Sequence, residues 1–374
     1  MHLPHVIYSE EVMREGFGIE DVDIPVEAKV EFLEALSETG LKRITVGAFV
    51  SPRFVPQMAC FEDILKRFRP REGVSYLPFI HNQKARQLAK QYAPPLTVED
   101  ELCTLFIDTC DVHQRRNVNR SIEQIMAIWP DLIADAKGRG IDRGSVGIAS
   151  AWGSNFMGKF SHDYRFAFLE RQIEMLEAAG ISVEEIGLHD SQSWCLPHEI
   201  EQDLTEIKRR WPQVKRFHLH MHDARGMALP AIYAALRNLD ASDSVLIDGT
   251  LGGIGGGQYG GNGRASGMAA TEDLLHMLED MGVETGVDMD RLIDCVWMLE
   301  RIIGRLSFGH VSKAGPRPKD PANFYDPNMP AVETLEAARH FKLGPNAYEK
   351  DGYSPWREPI AGPFYQGTPK RHTN

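Results

Sequence analysis

The segment Phe217-His218-Leu219-His220-Met221-His222-Asp223 opens the strand–helix–strand pattern that decides the fold. It predicts a β-strand over Lys215–His222, which a helical pattern follows over Ala228–Leu239. A second short apolar run, Ser244–Asp248, predicts the next strand. Two strands joined by a helix in this way lie parallel, and the connection between them is right-handed.

The same unit repeats along the chain before and after this segment. Strands are predicted at Val6–Tyr8, Arg43–Phe49, Ser75–Ile80, Leu102–Asp108, Ser145–Ala151, Ser182–His189, Lys215–His222 and Ser244–Asp248. Helices are predicted at Pro25–Thr39, Cys60–Phe68, Asn82–Tyr92, Ser121–Arg139, Tyr164–Ala179, Pro197–Trp211, Ala228–Leu239 and Thr271–Met281. Eight strands, each followed by a helix, predict an α/β fold of the (β/α)8 TIM-barrel type rather than an open doubly wound sheet. We expect this barrel to be the catalytic domain, over residues 1–308.

The last part of the chain, residues 309–374, differs from the barrel in composition. It contains a stretch rich in Pro and Asp, one short helical pattern over Glu333–Phe341, and aromatic residues such as Trp356 and Tyr365. This much aromatic content is unlike a disordered linker. We therefore predict a Pro/aromatic-rich C-terminal extension that wraps a neighbouring surface.

Composition and charge disfavour several classes of protein. The formal net charge of −12 argues against a nucleic-acid binder, although a local basic pocket could still hold an anionic substrate. The sequence contains no run of about 18 apolar residues, so no membrane span is expected, and it does not begin with a signal-peptide pattern. Five scattered cysteines without metal-site spacing favour reduced thiols in a cytoplasmic protein. A homo-oligomer, most simply a dimer, is the default expectation.

Two histidines suggest a metal site. Because residues two apart on a strand face the same side, His220 and His222 present two imidazoles together. The glycine-rich run Gly249–Gly263 follows the next strand, and so many glycines suggest close backbone approach to a ligand. An acidic residue and an amide oxygen from elsewhere would complete the site.

Other polar residues would meet these histidines if the barrel forms. Active sites of such barrels lie at the carboxyl ends of the strands. Arg14-Glu15-Gly16 follows the first predicted strand, Asn82 follows the third, and Asp190-Ser191 ends the sixth. Residues distant in sequence would therefore converge on one mouth, and this convergence is the main physical argument for a catalytic site.

Several motifs resemble those of the DRE-TIM metallolyase family, which includes 3-hydroxy-3-methylglutaryl-CoA lyase, homocitrate synthase and isopropylmalate synthase. The resemblance runs from about Arg14 to about Asp290. The histidine motif lacks the Asn that the synthases insert after the second His, which favours the lyase branch. The motifs are Arg14-Glu15-Gly16-Phe17, Phe49–Met58, Arg115–Ile122, His220-Met221-His222-Asp223, Asp248–Gly256 and Ala270–Asp273.

The resemblance implies a divalent cation, Mg²⁺ or Mn²⁺, acting as a Lewis acid on a small-molecule substrate that could be an acyl-CoA. Arg14 would stabilise the enolate oxygen that develops when a carbon–carbon bond breaks. Asp190 would assist proton transfer or orient a metal ligand. The implied metal ligands are Glu15, His220, His222 and Asn262, and the candidate substrate contacts are Asn82, Ser191 and Arg225.

The sequence also departs from the family pattern. Glu15 stands where the family has a shorter metal-binding Asp, and Thr45 stands at the position of the acidic partner of the arginine. Gly257 occupies the position of the lyase's catalytic cysteine. Counting forward from Asp248 places the amide ligand at Asn262. Counting back from Thr271 would instead select Met268, whose thioether suits a hard cation poorly.

Each polar candidate also has a structural interpretation. Asn82 and Asp190 could cap the helices that follow them, and Arg225 could form a surface salt bridge instead of clamping a carboxylate. We expect a metal-dependent carbon–carbon lyase that cleaves a 3-hydroxy acid or 3-hydroxyacyl-CoA. The alternatives are a Claisen-condensing synthase joining an acyl-CoA to a 2-oxo acid, such as a citramalate or homocitrate synthase, and a non-catalytic barrel that binds a metal or metabolite.

Overall fold

The computed structural model describes residues 3–99, 101–257, 267–320, 324, 325, 327, 328 and 357–360. Contacts divide the chain into two units, Met1–Gly309 and His310–Asn374. The described part of the second unit contains one short helix, Val311–Ala314. It also contains a hydrogen bond of 2.6 Å, donated by the Ile360 backbone N–H to Asn328 Oδ1.

All eight predicted strands are present in the first unit, and they form one parallel sheet. They are β1 (His5–Glu10), β2 (Arg43–Ala48), β3 (Ser75–Phe79), β4 (Cys103–Asp108), β5 (Arg143–Ala149), β6 (Ser182–Asp190), β7 (Arg216–Met221) and β8 (Ser244–Gly249). The order across the sheet is β3-β2-β1-β8-β7-β6-β5-β4. Because β1 and β8 are neighbours, this is the circular order of a (β/α)8 barrel, and the predicted fold class is confirmed.

Helices follow the strands, as the sequence predicts. They are α1 (Val26–Ser37), α2 (Phe61–Arg67), α3 (Gln83–Gln91), α4 (Asp111–Val118), α5 (Ile122–Met126), α6 (Trp129–Gly138), α7 (His162–Ala178), α8 (Pro197–Arg210), α9 (Ala228–Asn238), α10 (Thr271–Asp280) and α11 (Met289–Ile303). A two-strand hairpin, Gly153–Ser154 with Gly158–Lys159, lies between β5 and α7. No helix in the described residues is long and apolar enough to cross a membrane.

The helix predicted over Ser121–Arg139 is instead two helices, α5 and α6. Ser121 forms a capping box with Gln124 at the start of α5. Pro130 lies in the first turn of α6, where its missing N–H needs no partner. The same proline has no N–H to bond to a carbonyl one turn earlier and so cannot continue a preceding helix, and the long prediction was wrong at this point.

Helix α11 was not predicted, although its ends carry recognisable signals. Asp288 caps its first turn by accepting a hydrogen bond from the Arg291 backbone N–H at 3.1 Å. Gly304 ends the helix with a φ of 68°, a left-handed conformation that glycine adopts without strain. The buried side chains Leu292, Val296 and Leu299 recur at helical spacing and join the main core.

Strand β7 shows how the core positions the site. Phe217, Leu219 and Met221 are buried and belong to the apolar core, whereas His218 and His220 alternate with them on the opposite face. Burying each of these apolar side chains contributes roughly 1.5–3 kcal/mol. A one-residue slip of register would drive the histidines into the apolar layer, so the hydrophobic pattern fixes which way the imidazoles face.

Candidate metal centre at the barrel mouth

Three of the four predicted metal ligands converge at the carboxyl ends of the strands. Ligand atoms of Glu15, His220 and His222 lie within 4.8 Å of one another. His222 Nε2 lies 3.7 Å from Glu15 Oε1. Glu15 and His222 are buried, and His220 is partly buried. A carboxylate and two imidazoles packed this closely can hold a divalent cation.

A single π-helical turn brings Glu15 to the histidines. The turn, Val12–Gly16, follows β1 directly. The backbone carbonyl of Glu11 accepts hydrogen bonds from the N–H groups of Arg14 at 3.0 Å and Glu15 at 2.7 Å. The turn therefore presents two successive charged side chains at the barrel mouth. Such turns are rare and often lie at functional sites.

Asp248 at the end of β8 orients the histidines of β7. Its Oδ2 lies 2.8 Å from His220 Nδ1 and 2.7 Å from His218 Nε2. Because Nδ1 of His220 is engaged by the carboxylate, Nε2 is left as the ligand nitrogen. Burial alone would raise the pKa of Asp248, but His218 and His220 outweigh it and hold that pKa well below its usual range.

Arg14 lies between carboxylates and an aromatic ring. Its guanidinium forms an ion pair with Glu15 and lies 3.6 Å from Glu11 Oε2. It also stacks over the Phe79 ring, 4.1 Å from the centroid. Burial alone would raise the pKa of Glu15, but Arg14, His222 and His220 together lower it to about 2. Glu15 is therefore ionised at neutral pH, as a metal ligand must be.

The glycine-rich loop packs against Glu15. A Cβ at Gly255 would lie 3.0 Å from the Glu15 backbone oxygen and 3.2 Å from Glu15 Cγ, and its φ of 122° also disfavours a side chain. A Cβ at Gly257 would lie 3.7 Å from Glu15 Oε1. Glycine at Gly255 is thus required by close approach to a candidate ligand residue. Asn262 lies outside the described residues, so its role stays a prediction.

Asp190 occupies the end of β6, and its carboxylate holds the following turn. It accepts hydrogen bonds from the backbone N–H groups of Trp194 at 2.9 Å and Cys195 at 2.7 Å. Its backbone carbonyl also accepts from the His222 N–H at 3.1 Å, which ties it to the candidate metal centre. Burial raises the pKa of Asp190 to about 6, against the effect of these hydrogen bonds.

Ser191, Arg225 and Asn82 have protein partners. Ser191 Oγ accepts a weak hydrogen bond from the Ser150 backbone N–H, at 3.4 Å. Arg225 donates to the Gln192 carbonyl at 2.6 Å rather than to an acid. Asn82 Oδ1 accepts from the Ala85 N–H at 2.8 Å and caps α3, as its structural interpretation predicts. Their roles toward a substrate stay predictions.

Sequence reasoning gave no role to His189 and His218, which also face the barrel interior. The His189 ring lies 5.1 Å from the His220 ring, with 25° between their planes, and 4.7 Å from the His218 ring. Burial lowers the pKa of His189 well below its usual value, and the neighbouring imidazoles lower it further. His218 could have been found from the period of two that already linked His220 and His222.

The parallel barrel and the acid–imidazole cluster beside an arginine define a barrel enzyme with a centre suited to a divalent metal. Comparison with known proteins identifies the family to which this enzyme belongs. The chain belongs to the HMGL-like family, whose model matches residues 5–298. It is thus an enzyme of a lyase-containing family.

Relatives and solved structures agree with this assignment. The hydroxymethylglutaryl-CoA lyase of Bacillus subtilis is 30% identical over 292 residues, covering 78% of this chain and 91% of the relative. The lyase of Pseudomonas mevalonii is 31% identical over 303 residues, covering 81% and 93%. An HMG-CoA lyase structure from Acinetobacter baumannii, in complex with coenzyme A and 3-methylmalate, matches with a TM-score of 0.69 at 25% identity, covering 84% and 96%.

Proposed function

We propose that this chain is a divalent-metal-dependent carbon–carbon lyase that cleaves a 3-hydroxy acid or a 3-hydroxyacyl-CoA thioester. The observation that carries the proposal is the cluster of Glu15, His220 and His222, whose ligand atoms lie within 4.8 Å of one another. Arg14 stands beside this cluster, paired with Glu15. The family and its named lyase relatives support cleavage over condensation.

The residues present fit a hard or borderline divalent cation. Glu15 offers an ionised oxygen, and the two histidines offer imidazole nitrogens, a donor set that suits Mn²⁺ and is compatible with Mg²⁺. Asp248 already fixes the ring of His220 through Nδ1, as carboxylates commonly do for ligating histidines. When bound, the cation would supply Lewis-acid polarisation of the substrate oxygens.

The proposed cleavage is a retro-aldol (retro-Claisen) reaction. The C3 hydroxyl of the substrate loses its proton, and the oxygen electrons form a carbonyl as the C2–C3 bond breaks. The bonding pair passes to C2, which becomes part of an enolate, and a returned proton at C2 completes the reaction without net proton change. Arg14 is assigned to the enolate oxygen, because a fixed guanidinium stabilises negative charge that develops during bond breaking.

Proton transfer is assigned to Asp190. A carboxyl group whose pKa is about 6 can both accept and donate a proton near neutral pH. Gly257 occupies the position at which the resemblance places a catalytic cysteine, so a thiol at that position does not supply the proton here. Asp190 would take the hydroxyl proton and return it to C2. Asp190→Asn should then reduce the cleavage rate while leaving metal content unchanged.

Metal content is the first test. Wild-type protein and a His220→Ala/His222→Ala variant are equilibrated with Mn²⁺ or Mg²⁺, freed of excess ion and analysed by elemental mass spectrometry. His276→Ala, which removes an imidazole on α10 near Asp280, is the matched control. About one ion per chain in wild type and control, lost in the double variant, supports the proposal. Equal metal content in all three proteins would contradict it.

Substrate assays then separate cleavage from condensation. The proposal predicts that 3-hydroxyacyl-CoA thioesters or free 3-hydroxy acids are split into a carbonyl compound and a second product. Thioesters are the first choice because a structural neighbour was solved with coenzyme A. Release of free thiol from acetyl-CoA in the presence of 2-oxo acids, without any cleavage, would instead indicate a condensing synthase. A dimeric state and a cytoplasmic location stay predictions, of which sedimentation tests the first.

A further inference from the structure

The surroundings of Arg14 contain an acidic group that the family resemblance does not assign. Thr45 on β2 stands where the resemblance places an acidic partner for the arginine. In the structure a carboxylate nevertheless faces Arg14 there, but it comes from Glu11, the residue directly after β1. Burial raises the pKa of Glu11 to about 7, against the lowering effects of the Arg14 charge and of the neighbouring Thr45 hydroxyl.

Glu11 is built into the site rather than placed on a surface. It is only 8% exposed, and its backbone N–H donates to the Gly249 carbonyl at 2.8 Å. Its Oε2 is buried without a hydrogen-bond partner in the described residues, 3.6 Å from a guanidinium nitrogen of Arg14. That separation is within ion-pair range and a few tenths of an ångström beyond a hydrogen bond. A small shift of Arg14 would satisfy both groups.

Arg14 therefore has two carboxylate partners, Glu15 and Glu11, whose roles differ. Glu15 pairs with Arg14 but is also the candidate metal ligand. A cation bound to Glu15 would compete with the Arg14 guanidinium for the same carboxylate. Leaving a largely buried charge such as that of Arg14 without a partner is costly, so a second carboxylate is needed to keep Arg14 in place. Glu11 lies where that carboxylate is required.

We propose that Glu11 is a positioning residue that holds Arg14 when Glu15 is committed to the cation. It replaces a carboxylate on β2 by one on the turn after β1. This inference rests on the proposed metal-dependent function, since it concerns the same site. Glu11 acts through Arg14, so its effect must disappear when Arg14 is absent. That requirement separates positioning from simple attraction of a cation by a nearby negative charge.

The test is a double-mutant cycle on the full-length protein, read by Mn²⁺ titration calorimetry. Glu11→Val should weaken Mn²⁺ binding about tenfold, because Arg14 then competes fully for Glu15, and this is the range found for residues that orient metal ligands. Arg14→Met should remove the competition. Adding Glu11→Val to Arg14→Met should then have no further effect. An equal loss of affinity in both backgrounds would overturn the inference.

Relocating the carboxylate gives an independent check. The double variant Glu11→Val/Thr45→Glu returns a carboxylate to the space beside Arg14 from the β2 side. Its Mn²⁺ affinity should be within about threefold of wild type, a smaller loss than the tenfold loss expected for Glu11→Val alone. Thermal unfolding and near-ultraviolet circular dichroism establish that each variant is folded, and Glu11→Gln serves if the valine variant is not. Wild-type affinity in folded Glu11→Val or Glu11→Gln overturns the inference alone. Absence of Mn²⁺ binding by wild type overturns the proposed function as well.

Discussion

Replacing Asp248 by Asn should weaken metal binding about 10–100-fold without unfolding the barrel. In the structure one oxygen, Asp248 Oδ2, serves both His220 Nδ1 at 2.8 Å and His218 Nε2 at 2.7 Å. The Asn side chain keeps the shape but loses the charge that makes His220 a stronger ligand. At about 1.4 kcal/mol per tenfold change, the loss corresponds to about 1.4–2.8 kcal/mol of binding free energy.

Mn²⁺ titration calorimetry measures this loss directly, and a second Asp provides the control. Asp243 lies just before β8, is 2% exposed, and pairs with Lys208 at 2.5 Å. Asp243→Asn therefore also removes a buried carboxylate next to the same strand, but at its amino end, away from the mouth. Its Mn²⁺ affinity should equal that of wild type. If Asp248→Asn binds Mn²⁺ with an affinity within about twofold of wild type, the change is far smaller than the expected loss of about 10–100-fold, and the role given to Asp248 is refuted.

Three further predictions concern stability, the glycine loop and a helix cap. Burial raises the pKa of Glu10 from 4.5 to about 8, so the folded state retains a proton that the unfolded state loses, and stability should fall as pH rises between these values. Urea unfolding across this range should show a shallower pH slope for Glu10→Gln, and parallel slopes would refute the assignment. Gly257→Cys should place a thiol near Glu15, where bound Mn²⁺ slows the alkylation of that thiol by maleimide. The variant should also lose about 1–2 kcal/mol of stability, because the φ of +58° disfavours a side chain. An alkylation rate unaffected by Mn²⁺ would contradict that placement. Asn82→Ala should lose about 0.5–2 kcal/mol of stability with unchanged Mn²⁺ affinity, as expected for a cap, and weaker Mn²⁺ binding would instead link it to the centre.

The barrel could be predicted from sequence because its signals are local. Each strand is a short apolar run followed by a helical pattern, and eight such units permit few arrangements. The errors have local causes too. Pro130 divides one predicted helix into α5 and α6, and α11 carries capping signals at Asp288 and Gly304. Both features are local start and stop signals of helices.

The site was only partly predictable, because its contacts depend on strand register. The pairing of His220 with Asp248 joins residues 28 apart on adjacent strands, a contact that sequence spacing does not specify. The strand register places Asp248 of β8 and His189 of β6 on either side of His220 of β7. These three side chains therefore lie in one layer across three strands. For Arg14, the sequence suggested a lost partner at Thr45. Nothing local indicated that Glu11 would face the guanidinium.

The pairing of β1 with β8 has a consequence for biosynthesis. This ladder joins His5 to Ser244 and Glu10 to Gly249, so β1 can form these backbone hydrogen bonds only after β8 has been synthesised. Glu15 comes from the start of the chain and His220 and His222 from much later, so a growing polypeptide cannot assemble the cluster until most of the barrel has left the ribosome. Contacts this distant in sequence form slowly, since the chain must first close a long loop. A cation bound at the proposed centre would, by mass action, stabilise the closed barrel against reopening between its first and last strands.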